Sequence, residues 1–179
     1  MGKLKPILFT LLIVAIVGIT IYNNLNQETQ QETDVEVAPR IGFKAPNFTL
    51  TTMDGSEITL WEIEKPVVIN FWGSWCEPCQ IEAPEIQATY EQYQDRVEIL
   101  AVNTSDPNPD QAQEFVNVFN YTMPVPMDTE MAVFKQYRIN GLPTTLLLDK
   151  NGVIQDMWLG ILQEGELTKR IGKLAEEGR

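Results

Sequence analysis

Pro6 to Tyr22 (PILFTLLIVAIVGITIY) runs 17 residues without a charge, and Asn23 to Glu36 after it is polar and acidic with almost no large apolar side chain. From about Ile41 the texture changes to short apolar runs separated by turn residues. Phe48-Thr49-Leu50 and Ile58-Thr59-Leu60 flank Met53-Asp54-Gly55-Ser56, a pattern that predicts a β-hairpin with a glycine turn. Val67 to Gly73 (VVINFWG) and Val97 to Val102 (VEILAV) are continuous apolar runs, as expected of strands buried on both faces. Thr144 to Leu148 and Val153 to Trp158 predict two more strands, joined by the hairpin signal Asp149-Lys150-Asn151-Gly152.

Between these runs the period changes from two to three and four. Cys76, Cys79, Ala83, Ile86, Tyr90 and Tyr93 form one stripe of a helix, and Ala112, Phe115, Val116 and Phe119 form a stripe of a second. Asp110 is the expected cap of that second helix, because Pro107 and Pro109 stop anything earlier. Val133, Phe134 and Tyr137 suggest a third helix, and Leu167, Ile171 and Leu174 a fourth. The order βαβ, helices, ββ hairpin, helix implies an α/β domain with a mixed sheet covered on both faces. Pro84 falls inside the first helix, where a missing N–H predicts a kink.

The uncharged N-terminal stretch would span about 25 Å as a helix, slightly short of a ~30 Å hydrocarbon core. Lys3 and Lys5 flank it on one side and can snorkel, and the positive-inside rule makes that side cytoplasmic. A cleaved signal peptide is the competing reading. Gly18-Ile19-Thr20 is a weak cleavage site because it lies within the apolar run, and no Cys follows that could carry a lipid. The expectation is one transmembrane anchor over residues 1–25, a flexible stalk over 26–40 and one domain over 41–179. Either reading exports the domain, which puts it at the cell membrane on the extracytoplasmic side.

Charge and composition narrow the chemistry. The net charge is −12, and since Lys3 and Lys5 precede the apolar run and no acid does, the part beyond it carries −14. Such a surface repels phosphate backbones and argues against nucleic-acid binding. The chain has no histidine, which removes imidazole bases, imidazole metal ligands and imidazole pH switches.

The two cysteines of the chain stand in Trp75-Cys76-Glu77-Pro78-Cys79, where a buried strand gives way to a helix. A thiolate attacks a disulfide, and a helix N-terminus stabilises a thiolate with unpaired N–H groups and the positive end of its dipole. Pro78 suits the first helical turn, where its missing N–H costs nothing. Cys79, one turn on, is close enough to resolve a mixed disulfide on Cys76. Zinc would need four ligands, and no further Cys or His exists. A c-type haem site would need His where Gln80 stands. A structural disulfide across one turn closes a very small loop and stabilises little. Redox chemistry without a metal or cofactor is the reading that remains. Gly141-Leu142-Pro143-Thr144-Thr145, before a buried strand, adds a rigid turn and a candidate cis bond at Pro143.

FWGSWCEPC with GLPTT downstream resembles the thioredoxin superfamily. With APNFTL and the Asp-Gly hairpin, the order and spacing resemble its membrane-anchored ResA/TlpA-like branch, from about Ile41 to the C-terminus. The resemblance implies a thioredoxin-like fold with an N-terminal β-hairpin, preceded here by the anchor. It implies a thiol–disulfide oxidoreductase in which Cys76 attacks, Cys79 resolves, and a cis Pro143 faces the pair. Trp75, Glu77, Pro78, Leu142 and Thr144 would then contact substrate, Leu142 through its backbone. The family reduces the CxxCH disulfide of apocytochrome c for haem attachment and draws electrons from a membrane thiol carrier of CcdA type. Both therefore become expected partners. A generic reductase of exported proteins, or a disulfide donor of opposite direction, would look much the same, because sequence does not set a reduction potential.

One departure is informative. Thioredoxin carries a buried Asp where this chain has Asn70, which cannot take a proton. The resembled branch has a functional Glu at the spacing of Glu82, which makes Glu82 the candidate proton acceptor. From the residues alone, Glu82 lies about 60° from Cys79 on a helical wheel, beside the apolar stripe. A solvated Glu like Glu85 or Glu91 is the plainer alternative. Peroxiredoxins share the APxF hairpin but need Pro and Thr where Ile69 and Gly73 stand, and a copper chaperone would need CxxxC and a distal His.

Overall fold

The computed structural model describes residues 13–22, 36–104, 106 and 108–177. The chain divides into two compact units, Met1–Val35 and Glu36–Arg179. In the first unit residues 13–22 are helical, with exposed Ile and Val side chains. Among the described residues no helix is long and apolar enough to cross a membrane. Residues 1–12 and 23–25 of the expected anchor, and residues 26–35 of the expected stalk, lie outside the described residues.

In the second unit the elements run in the predicted order. Strands β1 (Thr49–Thr51) and β2 (Glu57–Thr59) form the expected hairpin, with Gly55 at φ +88° in its turn. Leu60, expected to extend β2, instead opens a 3-10 turn, Leu60–Glu62, and is buried against the main sheet. That sheet has five strands: β3 (Val67–Trp72), β4 (Glu98–Thr104), β5 (Met127–Asp128), β6 (Thr144–Leu148) and β7 (Ile154–Leu159), in the order β5-β4-β3-β6-β7. β3, β4 and β5 are parallel, while β6 runs antiparallel to β3 and β7 antiparallel to β6. β5 carries only two residues and had no legible signal. In the β6–β7 hairpin the Asp149 carboxylate accepts from the N–H groups of Asn151 and Val153, and Gly152 takes φ +78°.

Helices α1 (Glu77–Tyr93), α2 (Pro109–Phe119) and α4 (Glu166–Glu177) share one core with one face of the sheet. The hairpin and α3 (Ala132–Gln136) share a second core with the other face. Strand alternation decides which side chain meets which layer. On β3, Val68 and Trp72 enter the α1 core, and Val67, Ile69 and Phe71 enter the opposite one. Trp72 is fully buried, stacks on Phe115 with ring centroids 4.2 Å apart, and donates its indole N–H to Ala101 O at 3.0 Å.

Two local expectations change. The cap of α2 is Asn108, not Asp110: its side chain accepts from Asp110 N at 2.9 Å and Pro109 occupies the first turn, where proline starts a helix rather than blocking it. Glu85, the example of a solvated helix glutamate, is engaged at the start of α4, accepting from Gly165 N at 3.1 Å and Thr168 N at 3.4 Å. α1 stays helical through Pro84.

Candidate active site

β3 ends at Trp72, three residues turn the chain, and Cys76 stands at the N-cap of α1. The turn is held at several points. Cys76 N donates to Gly73 O at 3.1 Å, Gln80 Nε2 to Ser74 O at 2.8 Å, and Ser74 donates both its N–H and its hydroxyl to Asp106. Asn103, at the end of β4, donates its amide to the same Asp106 carboxylate. Cys76 and Cys79 are joined by a disulfide, with Cα atoms 5.2 Å apart. Cys79 N points at Cys76 Sγ at 3.2 Å, so the first sulfur sits in the field of the helix N-terminus. Cys76 is 4 % exposed and Cys79 1 %. Glu77 and Pro78 face solvent on the first turn, and Trp75 is exposed beside them.

The second loop reaches this place through the sheet register. Phe71 at the end of β3 pairs with Thr144, so Gly141–Pro143 lies at the same end of the sheet as the Cys turn. The Leu142–Pro143 bond is cis. Thr144 Oγ1 donates to Gly141 O and Gly160 N to Pro143 O, each at 2.8 Å. A Cβ on Gly73 would stand 3.0 Å from Trp75 Nε1 and 3.4 Å from Leu142 Cδ1. Gly73 therefore lets the indole and Leu142 close against the backbone that leads into Cys76. Pro143 and Thr144 are buried and Leu142 is partly exposed.

Glu82 is buried, one turn beyond Cys79 on the face of α1 that meets the sheet. Its Oε1 accepts from Asn70 Nδ2 at 2.8 Å. Burial pushes its carboxyl up to about 7; Asn70's bond works against that push, and the charge of Glu85 adds to it. Tyr121 is pushed up by burial and then by the charge of Glu82, which places its phenol within reach of that carboxyl's field. Glu82 also borders a cleft of about 600 Å³ between α1 and the segment entering α4, walled by Ile81, Pro84, Trp158, Ile161 and Leu162. Ile81, Leu159 and Ile161 are exposed, with Trp75, on this end of the molecule.

Sequence reasoning named Asn70 only as a residue unable to carry a proton. Its pairing with Thr145 across β3 and β6, and its contact with Glu82, were overlooked. The available signal was parity: Asn70 shares its strand face with Val68 and Trp72, the face α1 covers. The clamp of Asp106 on Ser74 had no local signal. Among the described residues no group of three Cys, Asp or Glu side chains is placed to hold a metal ion.

A family model described as the AhpC/TSA family matches residues 41–157. The chain belongs to that family. Within it the chain is similar to the thiol-disulfide oxidoreductase ResA of Geobacillus thermodenitrificans, 36 % identical over 90 % of this chain and 89 % of that one. The thioredoxin-like protein YneN of Bacillus subtilis is 30 % identical over 94 % of this chain and 98 % of its own. Among solved structures, StoA from Bacillus subtilis superposes with a TM-score of 0.62 at 28 % identity, covering 69 % of this chain and 95 % of that one. MTB dsbF superposes at 0.66 with 29 % identity, covering 71 % and 94 %. This member of the AhpC/TSA family has the thioredoxin-like α/β fold and is a thiol–disulfide oxidoreductase.

Proposed function

We propose that this oxidoreductase works as a reductase of disulfides in exported proteins, with Cys76 as nucleophile, Cys79 as resolving thiol and Glu82 as proton acceptor. The observation that carries the reading is the cysteine pair at the N-terminus of α1 with a buried carboxyl one turn behind it. Reduced Cys76, as a thiolate, attacks one sulfur of the substrate disulfide; a mixed disulfide forms and the other substrate sulfur leaves as a thiolate. Cys79 loses its proton toward Glu82 and attacks Cys76, closing the Cys76–Cys79 bond and releasing the second substrate thiolate. Two electrons pass to the substrate, and the protons of the two protein thiols match those its new thiols take up. An external dithiol must then reduce the pair again.

The exposed apolar collar of Trp75, Ile81, Leu159 and Ile161 suits an unfolded peptide chain as substrate, with Glu77, Pro78, Leu142, Pro143 and Thr144 around the sulfurs. An anchor over residues 1–25, a stalk over 26–40 and the domain over 41–179 would hold this site on the extracytoplasmic side of the cell membrane. There a carrier of CcdA type can deliver electrons. The specific substrate in this reading is the CxxCH disulfide of apocytochrome c, whose thiols must be free for haem attachment.

The test is deletion of the protein in its host with assay of c-type cytochromes. The expected result is their loss and their recovery with dithiothreitol. Normal levels without the protein would refute the apocytochrome role, and recovery with an oxidant instead would refute the reducing direction.

A further inference from the structure

Asn70 is fully buried in the middle of β3. Its carboxamide nitrogen donates twice, to Glu82 Oε1 at 2.8 Å and to Thr145 Oγ1 at 2.9 Å. Its carbonyl oxygen is buried with no hydrogen-bond partner among the described residues. Thr145 is itself buried on the neighbouring strand, directly across from Asn70. The amide thus spends both hydrogens on one side and leaves its acceptor idle on the other.

A carboxamide has nearly the same shape after a half-turn about its Cβ–Cγ bond, which exchanges oxygen for nitrogen. Turned so, Oδ1 would meet the same two partner atoms. It would need O–H donors from both. The Thr145 hydroxyl always has one, and Glu82 has one only when protonated. Nitrogen-inward is the fit to the carboxylate, which has no hydrogen to give. The carboxylic acid still accepts on its carbonyl oxygen, but oxygen-inward lets it donate the stronger O–H bond, with two lone pairs for two O–H groups. The turn exchanges one idle outward acceptor for two idle outward N–H donors, a cost that the O–H bond from the protonated Glu82 must outweigh.

We propose that the Asn70 carboxamide turns with the protonation of Glu82, donating to the carboxylate and accepting from the acid. Asn70 is then a positioning residue that holds Glu82 in both halves of the thiol reaction. The inference rests on the proton-acceptor reading of Glu82 given above. Other groups also face this carboxyl. Cys76 and Cys79 lie toward the start of α1, Glu85 lies one turn on, and Tyr121 approaches from beyond α2. Glu164 lines the same cleft, as does Trp158, whose ring lies under the Arg170 guanidinium at 5.3 Å. Arg170 is held by Glu166 and Asp156. Among these, Asn70 is the group bonded directly to the Glu82 carboxyl.

The experiment is NMR on the full, oxidised chain in detergent micelles. The Glu82 carboxyl is labelled with ¹³C and identified by its disappearance in Glu82→Gln. Above the Glu82 midpoint, nuclear Overhauser contacts are expected from the Asn70 amide hydrogens to the Thr145 methyl. Below it they are lost, with the same midpoint as the carboxyl. Contacts that persist unchanged through the titration would overturn the turn. In Asn70→Leu both protonation states lose a bond, so the Glu82 acidity constant changes less than tenfold; a larger fall would mean that the amide serves the charged form alone, which also overturns it. A pH profile of disulfide reduction left unmoved by Glu82→Gln would instead refute the proton-acceptor reading, whatever the amide does.

Discussion

Replacing Glu82 by glutamine tests the burial of that carboxyl through stability, independently of turnover. An unfolded glutamate loses its proton near 4.5, whereas folded Glu82 keeps its proton up to about 7. Between those values the unfolded chain binds fewer protons than the folded one, so stability falls as pH rises and levels off above the folded value. At ~1.4 kcal/mol per pKa unit, the ionised carboxyl costs the fold roughly 3 kcal/mol at pH 8.5 and almost nothing at pH 4.5. The substituted carboxamide has no such charge and still offers an oxygen to Asn70 Nδ2, so the bond of 2.8 Å can persist. The variant is expected to be more stable than the parent by roughly 2–3 kcal/mol at pH 8.5 and about equal to it at pH 4.5. Urea denaturation followed by tryptophan fluorescence, without reductant so that the disulfide stays closed, reads this difference. Other titrating groups, including the partly buried Glu98, occur in both proteins and cancel. Curves for parent and variant that stay parallel across this pH range would refute the buried, proton-holding carboxyl.

The roles of the two cysteines separate by trapping: Cys79→Ala, mixed with a CxxCH disulfide peptide, should accumulate an adduct on Cys76, and an adduct forming instead on Cys79 in Cys76→Ala would reverse the assignment. Trp72→Ala should cost about 3–5 kcal/mol in urea unfolding, because it empties a buried volume, unstacks Phe115 and orphans Ala101 O. A loss under about 1 kcal/mol would show that the α1-side core does not depend on it.

Periodicity alone located most of the elements, because a strand buried on both faces and a helix with one apolar stripe leave different spacings. The apolar runs of β3, β4 and β6 and the stripes on α1, α2 and α4 are local facts of the chain. So is the cysteine pair at a strand-to-helix junction, whose chemistry follows from the helix N-terminus itself. What depended on neighbours distant in sequence was not legible. β5 has two residues, and pairing with β4 is what makes it a strand. Pro109 and Asp110 read as a stop and a cap until Asn108 supplied the oxygen that the first free N–H groups needed. Whether Glu82 was a solvated helix residue or a proton-holding one turned on its surroundings. The spacing from Cys79 is the same in either case, but desolvation by the sheet and the Asn70 bond exist only once α1 lies on β3. Charge is written in the sequence. The medium around the charge, which decides when Glu82 gives up its proton, is made by the tertiary fold.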